Sequence, residues 1–280
     1  MRSASSRKRP SNSKRVLRSI VGPQCPGPRR ERQPQNAIVP AFASKEFVLM
    51  KSASDSQILS LFPLPNVVLF PNTQLPLYIF EPRYRAMTHA ALKGDRRIGM
   101  VAIRPEALSE ASDSPAVFAI GCEGEISEAR ERPDGTLDIL VAAKGRFKII
   151  EESPISETRP YRVAHIQSLD EEMLPDPPSE IGGIRQGIFQ TLNEIVVRSG
   201  SGDEPAALGK QHAALKHLET YPDEAFVHVV AQSIHLGVHE KQRLIEASGP
   251  AARYRMLEEF LAFHLAELKA KTGPGSNTIH

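Results

Sequence analysis

The sequence predicts an α+β fold with segregated halves, strands first and helices second. Three observations carry this. From Ile58 to about Asp170, apolar residues come in short runs or alternate with polar ones, as strands require. From Ile181 the period lengthens to 3.6, and Ile181, Ile184, Ile188, Leu192, Ile195 and Val196 fall on one helical stripe. Between the two, residues 170 to 179 are acidic and proline-rich and offer little to bury.

The strand half opens with Leu61-Phe62-Pro63-Leu64-Pro65-Asn66-Val67-Val68-Leu69-Phe70-Pro71, followed by Leu75-Pro76-Leu77-Tyr78-Ile79-Phe80-Glu81-Pro82-Arg83-Tyr84-Arg85. Proline has no amide to give a ladder and fixes φ, so Pro63, Pro65, Pro71 and Pro76 break the apolar runs into bent or edge strands. Asn66 and Pro71-Asn72-Thr73 supply turn chemistry. A helix starts at Glu81-Pro82, with proline at its first position, and stops at Gly94. Arg97 to Ile103 and Ala116 to Ile120 read as buried strands, with a solvent loop from Arg104 to Pro115 between them. Gly121 to Ala129 alternates with acids and leads through Pro133-Asp134-Gly135, a hairpin signal, into Thr136 to Ala143. A turn at Lys144-Gly145 and strands at Arg146 to Ile150 and Tyr161 to Ile166 complete this half.

In the second half, the long helix ends at Ser199-Gly200. Shorter helices are expected at about Ala206 to Leu218, Pro222 to Leu236 and His239 to Ala247. Pro222-Asp223-Glu224 suits a first turn. A last helix, from about Pro250, carries Leu257, Phe260, Leu261, Leu265 and Leu268 and ends at Gly273-Pro274.

The net charge of +2 conceals an asymmetry. Residues 1 to 50 hold eleven of the 35 Lys and Arg but two of the 33 Asp and Glu, a net of +9, which leaves the rest at −7. This Ser-, Pro- and Arg-rich stretch lacks apolar periodicity and reads as a disordered basic tail, as do residues 272 to 280. The basic tail has three readings: a nucleic-acid-binding arm, an organellar transit segment, or sequence translated upstream of a true start at Met50. No apolar run approaches membrane-spanning length. Cys25 and Cys122 form no C-x-x-C motif, and a reducing, cytoplasmic setting is the simpler expectation, organellar if the tail is a transit segment.

The opening signature resembles that of the Lon protease N-terminal, substrate-binding domain. Further blocks in the same order strengthen the resemblance: Gly121-Cys122-Glu123-Gly124-Glu125-Ile126, Pro133-Asp134-Gly135, Lys144-Gly145-Arg146-Phe147-Lys148-Ile149 and Tyr161-Arg162-Val163. The resemblance implies a PUA-like β-barrel-type subdomain over 58–170 followed by an α-helical bundle over 179–271. A complete Lon protease continues into ATPase and Ser/Lys peptidase modules, for which 280 residues leave no room. In that protease the domain helps capture unfolded or tagged substrates and contributes to assembly, and cereblon carries a similar domain in a substrate receptor. This chain departs from the family at Asn72, often Gly, and Tyr78, often His.

Two catalytic signatures are missing. The sequence has no Gly-x-x-x-x-Gly-Lys-Ser/Thr phosphate loop and no Gly-x-Ser-x-Gly elbow. His235 and His239 are four apart, but Gly237 between them marks a helix boundary, so they read as surface residues, as do His212 and His217. The expectation is a non-catalytic chain without cofactor or metal. It recognises unfolded or tagged polypeptides, as an adaptor or holdase for a separate ATP-dependent protease, with homo-oligomerisation open and an RNA-binding PUA-like protein as the alternative. The peptide-binding candidates are Leu75, Pro76, Tyr78, Phe80 and Tyr84, bordering an apolar groove in the strand half and the cleft beside the helices. Glu81, with Arg83 or Arg85, reads as a helix cap and local ion pair.

Overall fold

The computed structural model describes residues 57–109, 114–169, 178–199, 213 and 215–272. The basic tail, most of the 170–179 linker, the first part of the Ala206 to Leu218 helix, His212 and the tail beyond residue 272 lie outside these residues.

Among the described residues, six strands and five longer helices follow the expected order: β1 (Gln57–Leu64), β2 (Gln74–Ile79), α1 (Pro82–Lys93), β3 (Arg97–Ala102), β4 (Ile120–Glu131), β5 (Leu137–Ser153), β6 (Val163–Leu169), α2 (Pro178–Ser199), α3 (Asp223–Ser233), α4 (Val238–Glu246) and α5 (Gly249–Thr272), and residues 215–218 are helical as well. The sheet runs β2-β5-β4-β3-β1-β6, and β6 also pairs with β5. Five strands therefore close on themselves, and β2 is left as an appended edge strand. β1 and β3 are parallel, and all other pairings are antiparallel.

The prolines sit where a missing amide costs little. β1 pairs with β6 over Gln57–Ser60 and with β3 over Leu61–Leu64, so β6 has already left by Pro63. Asn66 and Asn72 take positive φ, 59° and 60°, at the two expected turns. Asparagine tolerates this geometry better than other side-chain-bearing residues. Between the turns, Val68, Leu69 and Phe70 form no strand and are buried.

Two strand expectations are corrected. Lys144-Gly145 is not a turn: β5 runs unbroken through it for 17 residues. Cys122 pairs with Arg146 and Gly124 with Ala143, so Lys144 and Gly145 together face Glu123 as a β-bulge. The bulge lets one edge of β5 serve β2 over Leu137–Ala142 and β6 over Arg146–Ser153. The stretch Ala116 to Ile120 holds a single bridge, Val117 to Ile103, before β4 begins at Ile120. The preceding loop contains a short 3-10 turn, Pro105–Ser109, that buries Ala107.

The helices match the stripe. Ile188, Leu192, Ile195 and Val196 are buried, with Ile181 and Ile184 packed beside them. Pro222 caps α3 from outside the first turn, and Asp223 and Glu224 occupy that turn. The larger of two apolar clusters spans both halves, from Phe62, Leu69, Phe70 and Met87 to Phe226, Val230, Tyr254 and Leu257. A smaller one, with Leu59, Leu61, Val101, Phe147, Ala164 and Ile166, fills the closed sheet.

Polar bonds lock the junction. Arg146 of β5 donates to the Ile245 and Ala247 carbonyls at the end of α4, and Arg253 of α5 donates to the same Ala247 carbonyl. Cations belong at a helix C-terminus, where unpaired carbonyls concentrate negative charge. Gln242 donates to the Ile120 carbonyl, and the Phe70 amide donates to Gln232.

Candidate functional site

Edge strand β2 has two different faces because successive side chains alternate. Leu75, Leu77 and Ile79 turn inward: Ile79 is buried and the two leucines are half-buried against the core. Gln74, Pro76, Tyr78 and Phe80 turn outward and are exposed. Tyr78 and Phe80 retain 48% and 59% of their surface, and their rings stack 5.9 Å apart.

The register extends this face across β5 and β4. Pro76 lies opposite Leu140, and Tyr78 opposite Asp138, which in turn lies opposite Arg130. Arg132 reaches over the Tyr78 ring at 4.7 Å while its Nε and Nη2 each donate to the Asp138 carboxylate at 2.8 Å. Arg132 keeps that carboxyl below its usual pKa. The pair is solvent-exposed, so its main effect is geometric: it holds a flat cation against a ring instead of adding much stability. The hairpin tip fixes Arg132 in turn. Its amide donates to the Thr136 carbonyl, Asp134 accepts from the Thr136 amide and hydroxyl, and Gly135 supplies φ of 77°.

The result is a firm, outward-facing strip of Pro76, Tyr78, Phe80 and Leu140, bordered by Arg130, Arg132 and Asp138. Three of the candidates, Pro76, Tyr78 and Phe80, come together there. Leu75 lies on the opposite face of the same strand. Tyr84 does not join them: it is 7% exposed in the core, 4.5 Å from the Phe62 ring. It sits on the inward side of α1, where burial raises its hydroxyl pKa. Beside the helices, the two halves meet through the shared core and the junction bonds described above.

Arg132, Asp138 and Leu140 escaped the sequence reading. The signal was present in Thr136-Leu137-Asp138-Ile139-Leu140, whose alternation assigns Asp138 and Leu140 to one face. Glu81 is the N-cap of α1 without a side-chain cap bond, and its carboxylate pairs with Arg83 at 3.0 Å. Gly237 caps α4, with its amide bonded to Glu240, and the His239 ring stands edge-on to Phe118. His217 stands likewise against Tyr221. Burial drives the Cys122 thiol far above its usual pKa, which suits packing and not nucleophilic chemistry. Among the described residues, no three His, Cys, Asp or Glu gather as a metal set, and no helix is long and apolar enough to cross a membrane.

Residues 58–262 match the family model of the ATP-dependent protease La (LON) substrate-binding domain. The chain belongs to this family. A Lon protease from Cytophaga hutchinsonii is 24% identical over 235 residues, which cover 84% of this chain and 27% of that protein. Lon protease 2 from Syntrophobacter fumaroxidans is 28% identical over 227 residues, covering 81% of this chain and 27% of that protein. The chain thus spans about a quarter of the length of these Lon relatives. Among solved structures, the N-terminal domain of Mycobacterium avium complex Lon protease aligns with a TM-score of 0.53 at 14% identity, covering 74% of this chain and all of that one. The Lon N-terminal fold and the α+β layout are the same finding seen from sequence and from structure.

Proposed function

We propose that this Lon substrate-binding domain recognises unfolded polypeptides through the outward face of β2, β5 and β4, in the service of an ATP-dependent protease as adaptor or holdase. The observation that carries the reading is the Tyr78–Phe80 pair: two large exposed rings stacked at the end of β2, with a guanidinium over one of them. Stacked exposed aromatics beside an arginine have the composition of interface hot spots, and an aromatic side chain with few rotatable bonds loses little entropy on binding. A strip with one cation–carboxylate pair at its border suits apolar segments of varied sequence. The reading places the chain in a reducing, cytoplasmic setting, and the strip leaves self-association as an alternative use of the same surface.

Replacing both rings tests the assignment. Tyr78→Ala with Phe80→Ala is expected to weaken binding of a fluorescently labelled, reduced and unfolded polypeptide about 30- to 1,000-fold, since each hot-spot ring contributes on the order of 1–2 kcal/mol and the pair about 2–4 kcal/mol. The melting temperature should barely change, because both side chains are exposed. A double variant that is folded and binds as tightly as the parent removes the site from this surface.

A further inference from the structure

We propose that the occupant binds by strand addition to the open edge of β2, and that it is an extended segment apolar on both of its faces. This rests on the polypeptide-recognition reading and specifies its geometry and substrate class.

The Thr73 carbonyl accepts from the Ala143 amide, which fixes the phase of the β2–β5 ladder. In an antiparallel pair, backbone groups alternate between the partner and the opposite side. Leu75, Leu77 and Ile79 therefore aim theirs at β5, and Gln74, Pro76 and Tyr78 aim theirs outward. Among the described residues no strand lies on that outer side, and the Gln74 and Tyr78 amides find no partner. The edge thus presents donors at Gln74 and Tyr78 and acceptors at Gln74, Pro76 and Tyr78. A run of backbone donors and acceptors at strand spacing is complementary to one kind of ligand, another extended backbone.

Pro76 selects which one. Two copies of β2 paired about Pro76 set proline against proline, and neither supplies an amide, so both central bonds are lost. An incoming segment of different sequence donates its own amide to the Pro76 carbonyl and loses one bond. The edge is guarded against self-pairing, as exposed edges generally are, and open to a foreign strand.

The side chains define the substrate class. Alternate residues of an added strand lie beside Pro76, Tyr78 and Phe80 on the outer face, and the others beside Leu75 and Leu77, which keep exposed surface on the inner face. Both faces of the edge are apolar. The matching segment is a near-continuous apolar run, the pattern of strands buried on both sides in their own folds and exposed when those folds fail.

The test uses the full chain and a labelled peptide of five alternating valine and isoleucine residues flanked by lysine pairs, with a control whose second and fourth apolar residues are replaced by serine. At saturation, hydrogen exchange of the Gln74 and Tyr78 amides is expected to slow at least tenfold, the exchange of Leu75 and Leu77 to change little, and the control to bind several-fold more weakly. Gln74→Pro, which removes an outward amide and spares the β5 ladder, should weaken binding about fivefold, the scale of one hydrogen bond. A peptide that binds while both amides exchange at their free rates overturns strand addition and leaves polypeptide recognition standing. Absence of any peptide binding overturns both.

Discussion

Phe226→Ala is expected to lower the unfolding free energy by about 3–5 kcal/mol, the usual range for deleting a large buried ring. Phe226 has no exposed surface and sits where three elements meet. Its ring lies 5.0 Å from Phe189 of α2 and 5.8 Å from Tyr254 of α5, with the Arg185 guanidinium 4.4 Å above it. Arg185 cannot follow the ring inward to fill the space, because it also donates to the carbonyls of Glu219 and Tyr221 and pairs with Asp223. The cavity therefore stays open. Chemical denaturation reads the effect, and a loss below about 1 kcal/mol would mean that the helices repack freely. Phe226→Leu, which restores most of the volume, should recover roughly half of the loss.

The second large effect is a loss of stability in mild acid, traced to His228. This ring is buried between Phe70, which it stacks on at 6.0 Å, and Arg253, whose guanidinium lies 3.3 Å from its Nε2. Burial, then Arg253, then Arg146 push its pKa down from 6.5 to about 3. The neutral form is thus the folded form. Between pH 6.5 and about 3 the unfolded chain binds a proton that the folded chain refuses, so stability falls as pH drops through that window and is unaffected by this group above it. The slope from one such group approaches 1.4 kcal/mol per pH unit. His228→Gln keeps an acceptor for Arg253 without titrating. Unfolding free energies measured from pH 6.5 to 5, above the range in which most carboxylates titrate, should decline clearly more steeply for the parent than for the variant. Equal slopes would remove His228 as the cause.

The acid-sensitive junction and the binding strip lie in different parts of the molecule and differ in how far the sequence revealed them. The long helical stripe, the hairpin at Pro133-Asp134-Gly135 and the two asparagine turns are local patterns, and local patterns are legible. The edge position of β2 was legible too, since Pro76 is tolerated only where an outward amide is missed by no partner. Tyr84 misled because an aromatic between arginines at a helix start looks like surface. The turn of α1 that carries Tyr84 faces Phe62, a contact across 22 positions that no local pattern announces. Lys144-Gly145 misled for a related reason. A glycine after a lysine fits a turn or a bulge equally well, and only the shared edge of β5, paired first with β2 and then with β6, requires the bulge. The buried Arg146–His228–Arg253 group joins β5, α3 and α5, and its residues read as ordinary polar positions until the fold brings them together.

The measurement that bears most directly on the account is a fluorescence-anisotropy titration of the full chain. A labelled, reduced and unfolded polypeptide and a labelled single-stranded RNA are run side by side over a range of salt. Saturable polypeptide binding is expected to persist as salt rises from about 50 to 500 mM, because it rests on rings and backbone bonds, whereas any RNA binding through the basic N-terminal stretch collapses over the same range. No saturable polypeptide binding, together with RNA binding that survives added salt, would contradict that expectation and turn the same fold toward nucleic acid.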